Sequence, residues 1–305
     1  MNFSVTRRVV ALLASTTLLA FGAVQVPAEA ATSSKASTRA VSPVAKAPVK
    51  KLLFSMNFNE KRGTKPNSKY LTFEEGSGNR FGNGELQCYT RDRKNASTDG
   101  AGKLVIHAQK VTDATGPDYA IRDYCGSFTS ARLSSQGKVS FMYGRLEARI
   151  KMSSGIGTWP AFWMLGTNIN PLGWPECGEI DIVENKGLQP KAAYATAHGP
   201  GYGGAGIGDI MALGAPLSEA YHTYAIEWKK NSIKWYLDGM LMHALSPADT
   251  APNAYVFNHR FFLIMNLAMG GTFTGDIDPD LQSADLSFDW VRFYSINGIG
   301  KVYRK

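Results

Sequence analysis

The chain has 305 residues, 44% of them apolar and 19% charged, a composition that excludes wholesale disorder, a coiled coil and a collagen-like repeat. Its formal charge of +8 is uneven: residues 1–30 carry Arg7, Arg8 and Glu29, residues 31–51 carry Lys35, Arg39, Lys46, Lys50 and Lys51, and only two net positive charges are left for the rest. A nearly balanced domain lacks the clustered basic face that a phosphate backbone needs, so nucleic acid is excluded as a partner.

Residues 1–30 start with the basic pair Arg7-Arg8, continue as VVALLASTTLLAFGAV and close on Ala28-Glu29-Ala30, small residues two positions apart as signal peptidase requires. They predict a signal peptide cleaved near Ala30, and hence a secreted, extracellular protein. The run is broken by Ser15-Thr16-Thr17 and ends at Gln25 and Pro27, too short and too polar to cross about 30 Å of hydrocarbon. No membrane span is expected, and the two arginines fit a general or a twin-arginine export route equally. Residues 31–51 hold no aromatic and no acidic side chain, so they cannot bury enough surface to offset the entropy of ordering. They read as a flexible basic linker, which leaves 52–305 as one folded domain.

Beyond the linker, strand-length runs rich in β-branched and aromatic residues recur between turn signals: KLVIHAQ (103–109), GSFTSARL (126–133), GKVSFMYGRLEARIKM (137–152), GEIDIVEN (178–185), YHTYAIEWKK (221–230), SIKWYLDGMLMHAL (232–245), RFFLIMNLAM (260–269) and LSFDWVRFYSI (286–296). In RLEARIKM the charges of Arg145, Glu147, Arg149 and Lys151 alternate with Leu146, Ala148 and Ile150, the period of a half-buried antiparallel strand. Asp238-Gly239 between two runs predicts a tight hairpin. Long helical periodicity is absent, apart from a turn or two around Leu217 to Ala220. The pattern predicts an all-β sandwich or barrel.

GEIDIVENKG places Glu179, Asp181 and Glu184 on one short strand. Residues 179 and 181 share a face, but 184 lies an odd number of positions from 181 and on a regular strand would point into the core. Burying an unpaired carboxylate costs several kcal/mol, so a bulge near Val183 is expected to return Glu184 to the face of the other two. Three acids so close cannot all ionise, and one is expected to hold its proton near neutral pH while another stays anionic. That division suits glycoside hydrolysis, where one carboxylate attacks the anomeric carbon and a carboxylic acid protonates the leaving oxygen. An acidic surface strand and a divalent-cation site of oxygen ligands remain open readings of the same residues.

Aromatic residues crowd the acids: Trp159 and Trp163 one hairpin before, Trp174 just before, Tyr194, His198 and Tyr202 just after. Sugar rings stack on such faces, so Trp159 and Trp163 are read as cleft residues. Trp228, Trp235 and Trp290, inside alternating strands, are read as core.

These segments resemble glycoside hydrolase family 16, and within it the bacterial endo-β-1,3-glucanases, or laminarinases. The likeness spans nearly all of 52–305 through NGELQCYT (83–90), TSARLSSQGKVSFMYGRLEARIKM (129–152), GTWPAFWML (157–165), GWPECGEIDIVEN (173–185), AHGPGY (197–202), YHTYAIEW (221–228), FFLIMNLAMGG (261–271) and FDWVRFY (288–294). It implies a concanavalin-like β-jelly-roll of two curved antiparallel sheets, acids on the concave face, and a retaining double displacement on a polysaccharide by a monomer without organic cofactor. By the same resemblance Glu179 is the nucleophile, Glu184 the general acid/base, and Asp181 the residue that tunes the nucleophile. Asn83, Arg145, Trp159, Trp163 and His198 fall where the family binds substrate. Asp289 matches an aspartate that holds a structural Ca2+ in many members, although Met56-Asn57-Phe58 lacks the acidic residue common before that Phe.

Three cysteines allow one bridge at most within a chain, and Cys88 with Cys125 is the preferred pair, against three unpaired thiols. A secreted endo-β-1,3-glucanase is the leading reading. The same fold acting on mixed-linkage β-glucan, agarose or carrageenan is the second. A glucan-binding module without catalysis is the third, and it would be expected to lack one of the acids.

Overall fold

Each predicted run carries at least one apolar face, and such faces are stable only when they are covered, which stacks the chain into two sheets. The computed structural model describes residues 47–111 and 127–305. The leader and most of the linker lie outside the described residues, as does Cys125. Lys50 and Lys51, assigned to the linker from sequence, already belong to the first strand, Lys50–Met56. No helix among the described residues is long and apolar enough to cross a membrane.

The front sheet has nine strands among the described residues, in the order Ile207–Ala212, Gln189–His198, Glu179–Lys186, Thr158–Gly166, Phe261–Met269, Arg132–Ser134 and Thr72–Glu74, with Val139–Met142 and Lys301–Arg304 joined at the side. The back sheet has eleven, and its middle is built from Ser232–Leu237, His222–Lys229, Gly144–Lys151, Ser283–Ile296 and Leu104–Lys110. Almost every pairing is antiparallel, the exception being Gln87–Tyr89 with Phe128–Ser130. This is the all-β sandwich that the patterning predicts, in the jelly-roll form that the family resemblance implies.

The predicted alternation in Gly144–Lys151 holds: Leu146, Ala148 and Ile150 enter the core between the sheets, and the charged residues between them face outward. Asp238 and Gly239 both adopt positive φ, 49° and 83°, and close the hairpin between Leu237 and Met240. The strand Phe261–Met269 is buried at every position. Phe261, Leu263, Met265, Leu267 and Met269 join the main core, while Phe262 and Ile264 belong to a second small cluster with Leu165 and Cys177 on the front face. A central strand covered on both faces reads as a continuous apolar run, as FFLIMNLAM does.

Trp228 and Trp235 are core residues, 3% and 0% exposed. Trp290 is not. The ladder between Gly144–Lys151 and Ser283–Ile296 slips by one residue, pairing Arg149 with Trp290 but Ile150 with Phe288, and that slip leaves the Trp290 ring partly exposed beneath Arg292, 4.2 Å away. Cys88 is disulfide-bonded, and Cys177 is a free, buried thiol whose pKa burial and the charge of Glu179 push up to about 11.

Candidate active site

The strand Glu179–Lys186 begins at Gly178, whose φ of +72° ends the preceding turn in a conformation that side chains disfavour. Asp181 pairs with Thr196 and Glu184 with Tyr194, so three steps along the acid strand match two on its neighbour. On the other side Asp181 pairs with Trp163 and Val183 with Phe162, placing the extra residue at Ile182–Val183. Both of those side chains enter the core, 1% and 0% exposed, and the bulge expected from sequence turns Glu184 toward the front with Glu179 and Asp181. Trp235 pins it from behind. Its indole Nε1 crosses from the back sheet to donate to the Asp181 carbonyl at 2.8 Å, beside the residue where the ladder slips.

The acids line a cavity of about 420 Å3 with Asn83, Glu85, Arg132, Trp159, Trp163, Trp174 and Asn266. Two indoles address the two glutamates: Trp174 Nε1 donates to Glu179 Oε2 at 2.9 Å and Trp159 Nε1 to Glu184 Oε1 at 2.8 Å. Asp181 sits between, hydrogen-bonded to Glu179 on one side and 3.1 Å from His198 Nε2 on the other. His198 Nδ1 lies 2.6 Å from the Gly203 carbonyl and donates to it, so its Nε2 meets a carboxylate only as a second donor. The ring is therefore an imidazolium. Burial works against that charge, but the hydrogen bond and charge of Asp181, with Glu179 behind it, lift its pKa to about 10.

The two glutamates are shifted above the ordinary carboxylate range. Burial first, then the charge of Asp181, pushes Glu184 up to about 8, with the Trp159 donor opposing. Burial and Asp181 also raise Glu179 well above the usual carboxylate range, against the pull of His198. The arrangement thus has a proton to give at Glu184 and a destabilised, reactive carboxyl at Glu179. A divalent ion is the competing occupant, since ligand atoms of Glu179, Asp181 and His198 come within 4.8 Å of one another. An imidazolium has no lone pair to offer, so an ion there would first have to displace a proton held to about pH 10. The donor set fits a proton relay better than a resting cation site.

Of the expected binding residues, Asn83, Trp159 and Trp163 line the cavity, and His198 stands behind Asp181. Arg145 does not belong to the site. It lies in the back sheet, where its guanidinium reaches Glu147 at 2.6 Å and Glu227 at 3.1 Å and covers the Tyr236 ring. An alternating strand does not reveal which of two sheets it joins, and that is why the sequence misplaced this arginine.

Asp289 also departs from expectation. Lys103 Nζ lies 2.5 Å from one of its oxygens and Arg149 Nη1 2.5 Å from the other, with Tyr221 against both cations. These partners hold the carboxyl below its ordinary pKa although burial opposes them. A carboxylate already held by two cations does not fit a Ca2+ ion, so Asp289 is a structural ion-pair residue.

Sequence reasoning missed Arg132 as a site residue. It is 7% exposed, paired to Glu74, and sandwiched between the Phe81 ring at 4.4 Å and the Trp163 ring at 4.7 Å. A single charge inside the small-residue run TSARLSS was the available signal. Glu85 was missed too. Buried in the wall, it accepts from Asn83, Gln87 and Tyr89, and Tyr89 is linked through Asn266 to the Trp163 indole. This network fixes Asn83 and Trp163 in position.

The family Glycosyl hydrolases family 16 matches residues 83–292 of the chain. The chain is 38% identical over 229 residues to a beta-glucanase of Rhodothermus marinus, covering 71% of this chain and 76% of that protein. It is 35% identical over 221 residues to a glucan endo-1,3-beta-glucosidase of Cryptopygus antarcticus, covering 68% and 77%. Among solved structures, the laminarinase catalytic domain of Thermotoga maritima superposes with a TM-score of 0.73 at 39% identity, covering 81% of this chain and 98% of that one.

Proposed function

The chain belongs to glycoside hydrolase family 16, and on that premise we propose that it is a secreted, monomeric endo-β-1,3-glucanase acting by a retaining double displacement. The observation that carries the reading is the bulged strand with its two indole-anchored glutamates on either side of an Asp–His pair. Glu184 gives its proton to the glycosidic oxygen, for which a pKa near 8 keeps it protonated at neutral pH. Glu179 attacks the anomeric carbon from the other side. Forming the glycosyl ester removes a charge that burial and Asp181 disfavour, and that relief strengthens Glu179 as a nucleophile. Asp181, hydrogen-bonded to Glu179 and paired with His198, takes up the proton they share as Glu179 attacks, so the negative charge of the pair passes to Glu184. Glu184, now ionised, then deprotonates the water that releases the sugar with its configuration retained.

The glucan assignment rests on the similarity to the beta-glucanase and the glucan endo-1,3-beta-glucosidase and on a cleft walled by Trp159, Trp163 and Trp174, suited to stacking on sugar rings. Export rests on the residue pattern of 1–30. Reducing-sugar release from laminarin, curdlan, lichenan and agarose, measured side by side without added cofactor, tests the reading. Laminarin and curdlan are expected to be cleaved fastest, and agarose cleaved with laminarin untouched would reject the substrate.

A further inference from the structure

The loop 167–174 separates two concavities. Ile169 and Trp174 line the catalytic cleft, whereas Thr167 and Asn170 line a second cavity of about 400 Å3 that also takes in Lys138, Arg260, Phe262 and Arg304. No Asp or Glu lines it. Four cationic residues line it, Lys138, Arg260, Arg304 and Lys305, and the first three are held by neutral groups: Lys138 donates to the Ser68 carbonyl, Arg304 Nη2 to the Leu53 carbonyl at 3.1 Å, and the Arg260 guanidinium lies 4.9 Å above the Tyr303 ring. None of the three forms an ion pair with a described carboxylate, in contrast to Lys103, Arg132, Arg145 and Arg149, each of which meets an acid. Like charges gathered around a concavity raise its potential, and an arriving anion relieves it.

The cavity is also close to the chemistry. Glu179 pairs with Leu165, and Leu165 pairs with Phe262, which lines the second cavity. Two inter-strand steps of about 4.8 Å put that wall roughly 10 Å from the nucleophile's strand. Two arginines present planar forks suited to carboxylate, sulfate or phosphate oxygens, and the Asn170 amide adds a neutral donor.

We propose that this cavity is a subsite for an anionic group carried by the polysaccharide in the cleft, so that the enzyme favours β-glucan chains bearing acidic substituents. The proposal rests on the glycanase reading of the cleft and narrows its substrate class. Neutral glucan uses the cleft alone, and a charged chain engages both concavities.

The test compares the full chain with its Arg260→Gln/Arg304→Gln variant, both positions being exposed and outside the catalytic machinery. Laminarin and carboxymethylated laminarin serve as substrates. Wild type is expected to show about ten-fold higher kcat/KM on the carboxymethylated polymer through a lower KM, as expected of two charge-assisted contacts. The variant is expected to lose that preference while keeping wild-type kcat/KM on laminarin, and about 0.5 M NaCl is expected to erase it in wild type. Equal preference in both proteins, or an equal loss on both substrates, overturns the proposal. Affinity electrophoresis in gels containing each polymer reads binding without hydrolysis. If wild type cleaves neither polymer the glucanase reading fails, and retardation by the carboxymethylated gel still decides the subsite: selective retardation of wild type supports it, identical mobility rejects it.

Discussion

The outer face of the back sheet and the acid strand of the front sheet carry the same kinds of side chain and treat them in opposite ways. On the back sheet every named carboxylate has a cation against it: Glu147 and Glu227 share Arg145, and Asp289 is held by Lys103 and Arg149. On the front sheet Glu179 and Glu184 are buried beside a third acid, and the nearest compensating charge, His198, is spent on Asp181. The result is a lowered pKa for Asp289 and raised values for both glutamates. Carboxylates matched to cations stabilise the fold, and carboxylates denied them are left with a proton to move.

The comparison breaks most sharply at the glutamates. Glu179→Ala and Glu184→Ala are each expected to lower kcat by about 10⁴-fold or more, as loss of a nucleophile or its proton partner does elsewhere. Azide is expected to rescue Glu179→Ala with an inverted glycosyl azide, and Glu184→Ala with retention, because in the second case azide meets the covalent intermediate. Proton NMR of the first product reads the configuration, and an α-anomer from a wild-type digest would refute both roles. Asp181→Asn is expected to cost about 10²-fold. It also removes a negative charge that raises Glu184, so the basic limb of kcat/KM, set near pH 8 by loss of the Glu184 proton, is expected to move toward acid. An unmoved limb would show that Asp181 does not act on Glu184.

Trp159→Phe keeps a ring but loses the N–H that favours ionised Glu184. The basic limb is expected to move the other way, upward by about one unit, with a smaller loss of rate. The smallest effect belongs to the back sheet. Lys103→Met is expected to leave kcat unchanged and cost about 1 kcal/mol in stability, since Arg149 still holds Asp289. Because Asp289 is depressed when folded, this contribution is complete above its unfolded pKa of about 4 and disappears as pH falls through the lower folded value. Calorimetry at pH 7 and pH 3 reads it. A wild-type Tm lowered by a chelator would overturn the ion-pair reading of Asp289 in favour of a bound cation.

Much of this was legible in the residues. RLEARIKM gave its faces by alternation, and the odd spacing between Asp181 and Glu184 required the bulge once burial of a lone carboxylate was weighed. What the sequence concealed was always a question of partners far apart along the chain. Arg145 sits on a correctly read strand, but nothing local states that Glu227, 82 residues away, waits beside it. Trp290 faces outward only because one ladder slips between Arg149 and Ile150. Arg132 gains its meaning from Glu74, Phe81 and Trp163, three segments that meet only in the folded chain.

The bulge at Ile182–Val183 also sets how the acid strand responds to changes in its length. Deleting one of those two residues leaves Asp181 and Glu184 two positions apart, an even spacing that keeps both on the front face with no bulge, at the expense of one core side chain. Inserting one residue also restores an even spacing, but of four positions, and carries Glu184 about 7 Å farther from its partners, past the reach of one glycosidic bond. Single-residue deletions there are therefore compatible with catalysis, and single-residue insertions are not.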